Sequence, residues 1–193
     1  MGFEDVNSGE GFTKFGKGAN LLIKADSIDH SQGSYQGDEY QQLDLVFVAV
    51  PENGGEQGRA PAWPTSKITI GESDEHTSKL AQLLTTAGVL ENVLRDLGAD
   101  DDLVTAIEDG DKRYEAQDDG ENQELMQAVA KHLGGVVLRA GSKWNGEEEY
   151  SKVTEFYERS EQDPFSGDPA DSTESSDSAD EAAESADEEA ALA

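Results

Sequence analysis

The stretch "YQQLDLVFVAV", residues 40–50, decides the fold because its apolar side chains follow a strict alternation. Successive residues of an extended chain point to opposite faces, so every second residue shares a face. Three valines lie on one face, and the other face is entirely apolar. Its members are Leu43, Leu45, Phe47 and Ala49. A period of two, rich in β-branched residues, predicts a β-strand.

The segments beside this stretch extend the prediction to three strands. Residues 19–28, "ANLLIKADSI", are apolar and short, and they predict a preceding strand. The turn-rich residues 29–39 would join the two strands as the loop of a hairpin. Residues 51–64 are dense in glycine and proline and predict a second loop, with Trp63 packed between two prolines. Residues 65–71, "TSKITIG", predict the third strand.

Four helices are predicted in the middle of the chain, where apolar residues recur every three or four positions. The first three segments each end in a glycine, which favours the backbone conformation that stops a helix. They span residues 78–88, 90–98 and 100–110. A fourth helix is predicted over residues 122–135. Together they form a helical insertion over about residues 77–134.

Two further strands are predicted at residues 136–144 and 147–157, joined at Asn145-Gly146. Asn-Gly supplies the two positive φ angles that a type I′ hairpin turn requires. Three strands, a helical insertion and two strands follow the element order of an OB-fold, a partly open five-stranded barrel. A generic α+β domain with a small antiparallel sheet is the alternative. We therefore predict a mainly β, OB-fold-like domain over residues 19–159.

Both ends of the chain differ from this domain. Residues 1–18 are glycine-rich and polar, and they predict an extended N-terminal arm. Its phenylalanines and lysines alternate in "GFTKFGKG", which suits either an arm that binds a single strand or a strap anchored over the barrel. Residues 160–193 hold acidic residues, serine and alanine, and no lysine or arginine. Such a segment cannot bury enough apolar area to order itself, so we predict a disordered acidic tail.

The charge of the whole chain restricts its partners. Asp and Glu total 43 against 14 Lys and Arg, a formal net charge of −29. The tail accounts for less than half of this excess, so the folded domain is acidic as well. An acidic body favours either a salt-rich cytoplasm or a partner other than a naked polyphosphate.

Several classes of protein are disfavoured by what the sequence contains. There is no cysteine, so disulfides and cysteine-based zinc sites are excluded. The three histidines lie far apart, and no hydrolase, nucleotide-binding or metalloprotease motif occurs. We expect no catalytic residues, metal or cofactor, and hence no enzyme. The apolar runs are too short to span a bilayer, and no signal peptide is visible, so we expect a cytoplasmic protein without a membrane partner.

The predicted hairpin around Asn145-Gly146 is the first candidate binding site. A two-residue turn would place Lys143 opposite Glu148, and Gly141 opposite Tyr150. This pairing collects three cations and an aromatic ring on one face and turns Trp144 to the other face. The residues of the cationic face are Arg139, Lys143, Tyr150 and Lys152. The chemistry suits a single-stranded nucleic acid, whose bases stack on aromatic rings while lysine and arginine bind phosphates. Trp144 and Tyr150 could instead cap the core.

The first hairpin contributes a second group of candidates. They are Lys24, His30, Tyr35 and Tyr40, and the two tyrosines lie in its glycine-rich tip. The tyrosines could stack on bases, or they could anchor the loop. With the cationic hairpin, they complete the set of candidate nucleic-acid-binding residues: Lys24, Tyr35, Tyr40, Arg139, Lys143, Trp144, Tyr150 and Lys152.

Residues 19–157 resemble small phage-encoded single-stranded-DNA-binding proteins. In that family, a "K-L-x-x-L-L-x-x-x-G" helix precedes a "L-x-G-x-x-V-x-x" strand and a hairpin closing in "N-G-E-E-Y-x-K-V". The matching residues are Lys79, Leu80, Leu83, Leu84, Gly88, Leu133, Gly135, Asn145, Gly146, Glu148, Tyr150, Lys152 and Val153. The resemblance implies an OB-fold that coats single-stranded DNA in phage or viral DNA replication or recombination. The acidic tail would then recruit replication or recombination proteins.

Two other functions fit the sequence. The chain could be a virion structural or protein-interaction module, in which the sheet edge and helices contact a partner. It could also be an acidic DNA mimic that occupies a basic site on another protein, which predicts negative charge clustered on the folded surface. The sequence does not indicate an oligomeric state.

Overall fold

The computed structural model describes residues 11–144 and 150–166, which form a mainly β domain with four helices. The strands are β1 (Asn20–Tyr35), β2 (Asp38–Pro51), β3 (Gly58–Ala62), β4 (Lys67–Ile68), β5 (Tyr114–Glu115), β6 (Val137–Lys143) and β7 (Lys152–Arg159). The helices are α1 (Lys79–Ala87), α2 (Leu90–Asp96), α3 (Asp101–Glu108) and α4 (Asp119–Leu133). An antiparallel five-stranded sheet has the order β3-β2-β1-β6-β7, and β4 pairs separately with β5. The predicted mainly β class and helical insertion are confirmed.

The first hairpin is longer than its sequence indicates. We expected residues 29–39 to form a loop, but β1 and β2 stay paired up to Tyr35 and Asp38. Only Gln36 and Gly37 form the turn, with φ angles of 53° and 93°. Two consecutive positive φ angles give a two-residue turn whose twist matches that of the flanking strands. The polar residues before it therefore continue the ladder as a two-stranded ribbon.

The third strand of the sheet also differs from the prediction. It is β3, inside the segment that we expected to be a loop, whereas the predicted strand at residues 65–71 contributes only β4. β4 pairs with β5, far along the chain, in a separate small sheet. Proline is tolerated in an edge strand, where one row of N–H groups has no ladder partner. β3 is such an edge, which explains how "GRAPA" can be a strand.

The hydrophobic core lies between the large sheet and the helices. The apolar face of β2 is fully buried, with Phe47 only 1% exposed. α1 supplies Leu80 and Leu84, and α4 supplies Leu125 and Val129, all at 0% exposure. Burying a large aliphatic or aromatic side chain contributes about 1.5–3 kcal/mol. The helical insertion is thus an integral layer of the domain.

The large sheet is not closed into a barrel by hydrogen bonds, contrary to our expectation. Its edge strands β3 and β7 nevertheless contact each other. Residues 11–17, here called the strap, run along the seam between them. The Thr13 backbone N–H donates to the Arg59 carbonyl at 2.8 Å, and the Thr13 carbonyl accepts from the Ser151 N–H at 3.0 Å. An N-terminal segment therefore bridges the two edges where a barrel would pair them directly.

Ser78 caps the helix that packs against β7. Its hydroxyl accepts from the Ala81 N–H at 3.3 Å and donates to the Lys67 carbonyl at 2.6 Å. Loss of such a cap costs about 1 kcal/mol. We expect Ser78→Ala to lower the free energy of unfolding by about that amount in urea titrations. Ser78→Thr keeps the hydroxyl and should stay close to the original stability; an equal loss in both variants would contradict the capping role.

The described part of the C-terminal segment folds back onto the sheet. The Ser160 N–H donates to the Val137 carbonyl at 2.8 Å, and Asp163 reaches Lys24 at 3.2 Å. The rest of the predicted acidic tail, residues 167–193, and the first ten residues of the predicted arm lie outside the described residues.

Candidate nucleic-acid interface

The hairpin of β6 and β7 pairs in a different register from the predicted one. Lys143 lies opposite Lys152, and Gly141 lies opposite Glu155, so the predicted partners Glu148 and Tyr150 are wrong. The strands begin pairing four residues later than a two-residue turn allows, and the register shifts twice along the ladder. Extra residues in one strand change which side chains share a face. The predicted turn at Asn145-Gly146 and the following residues 147–149 lie outside the described residues.

This register separates the three cations of the hairpin. Lys143 and Lys152 face each other, although like charges directly opposite in a ladder are destabilising. Arg139 instead lies opposite Glu158 and forms ion pairs with two carboxylates, at 2.7 Å to Glu158 and 2.9 Å to Glu52. Arg139 is therefore held by ion pairs within the protein. Lys143 and Lys152 are the two cations that the register places together.

Three aromatic rings from three separate segments meet beside these lysines. The Tyr150 ring centroid lies 5.4 Å from that of Phe12 and 6.2 Å from that of Trp63. The Lys152 ammonium lies 5.3 Å from the Trp63 ring centroid and 5.9 Å from the Tyr150 centroid. Ring pairs at such separations attract each other, and so do a cation and a ring within about 6 Å.

A second cation–ring pair extends this group. The Lys14 ammonium lies 4.3 Å from the centroid of the Trp144 ring. Lys14 lies two residues after Phe12, which contacts Tyr150, so the two groups adjoin along the N-terminal segment. We call the combined group the cationic-aromatic surface. Its members are Phe12, Lys14, Trp63, Lys143, Trp144, Tyr150 and Lys152.

The strap positions its half of this surface through backbone hydrogen bonds. The Ser151 hydroxyl lies 3.0 Å from the Phe15 N–H, from which it accepts, and 3.2 Å from the Phe15 carbonyl. Phe15 is buried, at 4% exposure. Along an extended strap, alternate residues point to opposite sides, so burial of Phe15 leaves Phe12 and Lys14 on the other side. Gly58 allows the close approach, because a Cβ at this position would collide with the Thr13 side chain.

The remaining predicted site residues lie elsewhere. Tyr35 and Tyr40 are exposed near the tip of the β1–β2 ribbon, where they line an open cleft with Lys67. Tyr35 lies at the far end of β1, fifteen residues from Asn20 at its start, and this separation is about 50 Å along the strand. Lys24 pairs with Asp163. A hydrogen bond from the Phe165 N–H, and then the contact with Lys24, lower the pKa of Asp163.

Three members of the surface were missing from the predicted site. The sequence places Phe12 and Lys14 only in an alternating pattern with two possible roles, and it predicts Trp63 as a packed loop residue. The alternation in "GFTKFGKG" was the available signal for the strap. Nothing in the local sequence around Trp63 indicates that it lies next to Tyr150, 87 residues later.

Metal-binding clusters and membrane-spanning helices are absent from the part of the chain that the structure describes. Within residues 11–144 and 150–166, no three His, Asp or Glu side chains come close enough to hold a metal ion. In the same ranges, every helix is too short or too polar to cross a bilayer. Comparisons with protein-family models, with curated proteins and with solved structures find no match to this chain.

Proposed function

We propose that this protein is a non-enzymatic single-stranded DNA-binding protein that holds the strand on the cationic-aromatic surface. The observation that carries the proposal is the convergence of Phe12, Trp63, Trp144 and Tyr150 with three lysines in a chain of net charge −29. Bases stack on aromatic rings with about 1–3 kcal/mol each, whatever the sequence. The lysines supply the phosphate contacts.

The lysines of this surface suit an anionic ligand. Lys143 and Lys152 are partners in the ladder between β6 and β7, which brings two cationic residues to one place. Since the chain has a formal net charge of −29, a double-stranded polyanion with its bases stacked inside would meet repulsion without gaining ring contacts. A single strand offers both phosphates and unstacked bases.

The strand order supports an OB-fold-like barrel as the framework of this function. We interpret β1, β2, β3, β6 and β7 as the five barrel strands, with the strap covering the open seam between β3 and β7. OB-folds bind oligonucleotides on the face of strands 2 and 3 and on the loops between strands 1 and 2 and between strands 4 and 5. Trp63 directly follows β3, while Trp144 and Tyr150 lie in the connection between β6 and β7. The surface therefore occupies two of these positions.

The acidity of the chain and its stacking rings suit a salt-rich environment. At about 1 M salt the screening length is about 3 Å, so counterion release contributes little to affinity. Stacking then carries the binding. We propose a role in coating single strands during phage or viral DNA replication or recombination, with the acidic tail available to basic partner proteins.

The direct test is the binding of fluorescein-labelled oligo(dT), measured by anisotropy at about 50 mM and about 1 M salt. We expect binding at both, with a shallow loss of affinity between them, because rings carry most of the energy. A duplex of equal length is the control and should bind at least tenfold more weakly at the higher salt. Absence of oligo(dT) binding at both salt concentrations would overturn the proposal.

A further inference from the structure

Two of the lysines in the cationic-aromatic surface lie on the ring faces that a base would need. The Lys14 ammonium is 4.3 Å from the Trp144 centroid, close enough to cover that face of the indole. The Lys152 ammonium lies beside both Trp63 and Tyr150, at 5.3 Å and 5.9 Å from their centroids. A ring face cannot hold an ammonium group and a stacked base at the same time. A base that stacks there must therefore displace the lysine.

We infer that Lys14 and Lys152 are exchangeable covers, which leave the aromatic rings as bases stack and then pair with the phosphates of the same strand. This inference rests on the proposed function. Lysine has a flexible four-carbon stem, so the displaced ammonium stays within reach of the strand. For Lys14, the exchange replaces a cation–ring contact by a base–ring contact and an ammonium–phosphate contact.

The exchange links the two contributions to the binding energy, base stacking and phosphate contacts. Without DNA, the Lys14 and Lys152 ammonium groups lie against half-buried rings. When DNA binds, the same lysines leave the rings and contact phosphates. A lysine that only bound phosphate would weaken binding when removed, most strongly at low salt. A lysine that also covers a ring must be displaced before a base can stack there. The free-energy cost of this displacement remains at high salt. Removal of such a lysine should therefore have opposite effects at the two salt concentrations.

Lys14→Ala is the decisive variant, because Lys14 is exposed and its removal leaves the backbone contacts of the strap intact. At about 50 mM salt we expect weaker oligo(dT) binding, with the slope of log affinity against log salt reduced by about one. At about 1 M salt we expect binding about two- to fivefold tighter than that of the original protein, the equivalent of an exposed cation–ring contact. The affinities of the two proteins should cross between these concentrations.

A second readout needs no DNA. In a Trp63→Phe background, Trp144 is the sole tryptophan of the chain, and its quenching by acrylamide reports on access to the ring. We expect Lys14→Ala to increase this quenching. Lys17→Ala is the matched control, since Lys17 is an exposed lysine of the same strap without a ring contact in the described residues. It should weaken binding at low salt at most, with no gain at high salt and no change in quenching.

Three outcomes would overturn the exchange. Equal losses of affinity at both salt concentrations would make Lys14 a phosphate ligand alone. Unchanged quenching of Trp144 would mean that the ring is not covered. Failure of the original protein to bind oligo(dT) would overturn the proposed function together with the exchange, whereas normal binding without the crossover would overturn the exchange alone.

Discussion

Tyr150→Ala should lower the affinity for oligo(dT) by about 5- to 150-fold, corresponding to one lost base stack of about 1–3 kcal/mol. Tyr150 lies at the centre of the cationic-aromatic surface, with Phe12 and Trp63 on either side and the Lys152 ammonium 5.9 Å away. Tyr150→Ala removes one ring, and Phe12 and Trp63 then lose the ring that both of them contact. Fluorescence anisotropy at about 1 M salt isolates this loss, because electrostatic contributions are screened.

Two control variants test whether the loss of affinity comes from the Tyr150 ring. Tyr150→Phe keeps the ring and should bind within about twofold of the original protein, since stacking uses the π face and not the hydroxyl. Tyr157→Ala removes an exposed tyrosine that lies outside the surface and whose hydroxyl donates to Glu155 at 2.7 Å. It should leave the affinity unchanged. An equal loss in Tyr150→Ala and Tyr157→Ala would show that the surface is not the binding site.

Gly58→Ala should dislodge the strap and weaken both folding and DNA binding. A Cβ at position 58 would collide with the side chain of Thr13, including its Cβ at 2.5 Å, so the strap backbone must move. Forced overpacking of this kind typically costs about 1–3 kcal/mol of folding free energy. Displacement of the strap also carries Phe12 and Lys14 away from Tyr150 and Trp144. We therefore expect an affinity loss of at least about fivefold, as for one stack.

Gly16→Ala provides the matched control for this experiment. Gly16 belongs to the same strap, but a Cβ there would meet nothing within 4 Å, and its φ is not in the left-handed region. Urea unfolding and oligo(dT) binding should both be nearly unchanged. If Gly58→Ala unfolds and binds like Gly16→Ala, the strap does not hold the surface together.

The parts of the fold that the sequence predicts are those with local signals. The alternation in residues 40–50 predicts β2 with its buried face, and the terminal glycines predict where the first helices stop. The fourth helix begins at Asp119, earlier than residue 122, because Asp118 caps it by accepting from the Glu121 N–H. These features depend on neighbouring residues, so a single sequence contains them.

The parts that could not be predicted depend on pairing between distant residues. β3 has the composition of a loop and becomes a strand because β2 supplies a ladder beside it. The Asn145-Gly146 signal suggests a tight turn, yet the pairing of Lys143 with Lys152 requires a longer connection. This four-residue shift in the β6–β7 register, with two irregularities in the ladder, separates Arg139 from the lysines with which it was predicted to share a face. Trp63 and Phe12 could not be predicted as site residues for the same reason, since only tertiary packing brings them to Tyr150.

The most direct test of the account is an NMR titration with short oligo(dT) at about 1 M salt, observing the two tryptophan indole N–H signals. Trp63 and Trp144 are the only tryptophans of the chain, and both belong to the cationic-aromatic surface. We expect both indole signals to shift as the DNA is added, while the backbone amides of Gln36 and Gly37 at the ribbon tip stay in place. Binding that leaves both indole signals unchanged, or that shifts only the ribbon tip, would contradict the account.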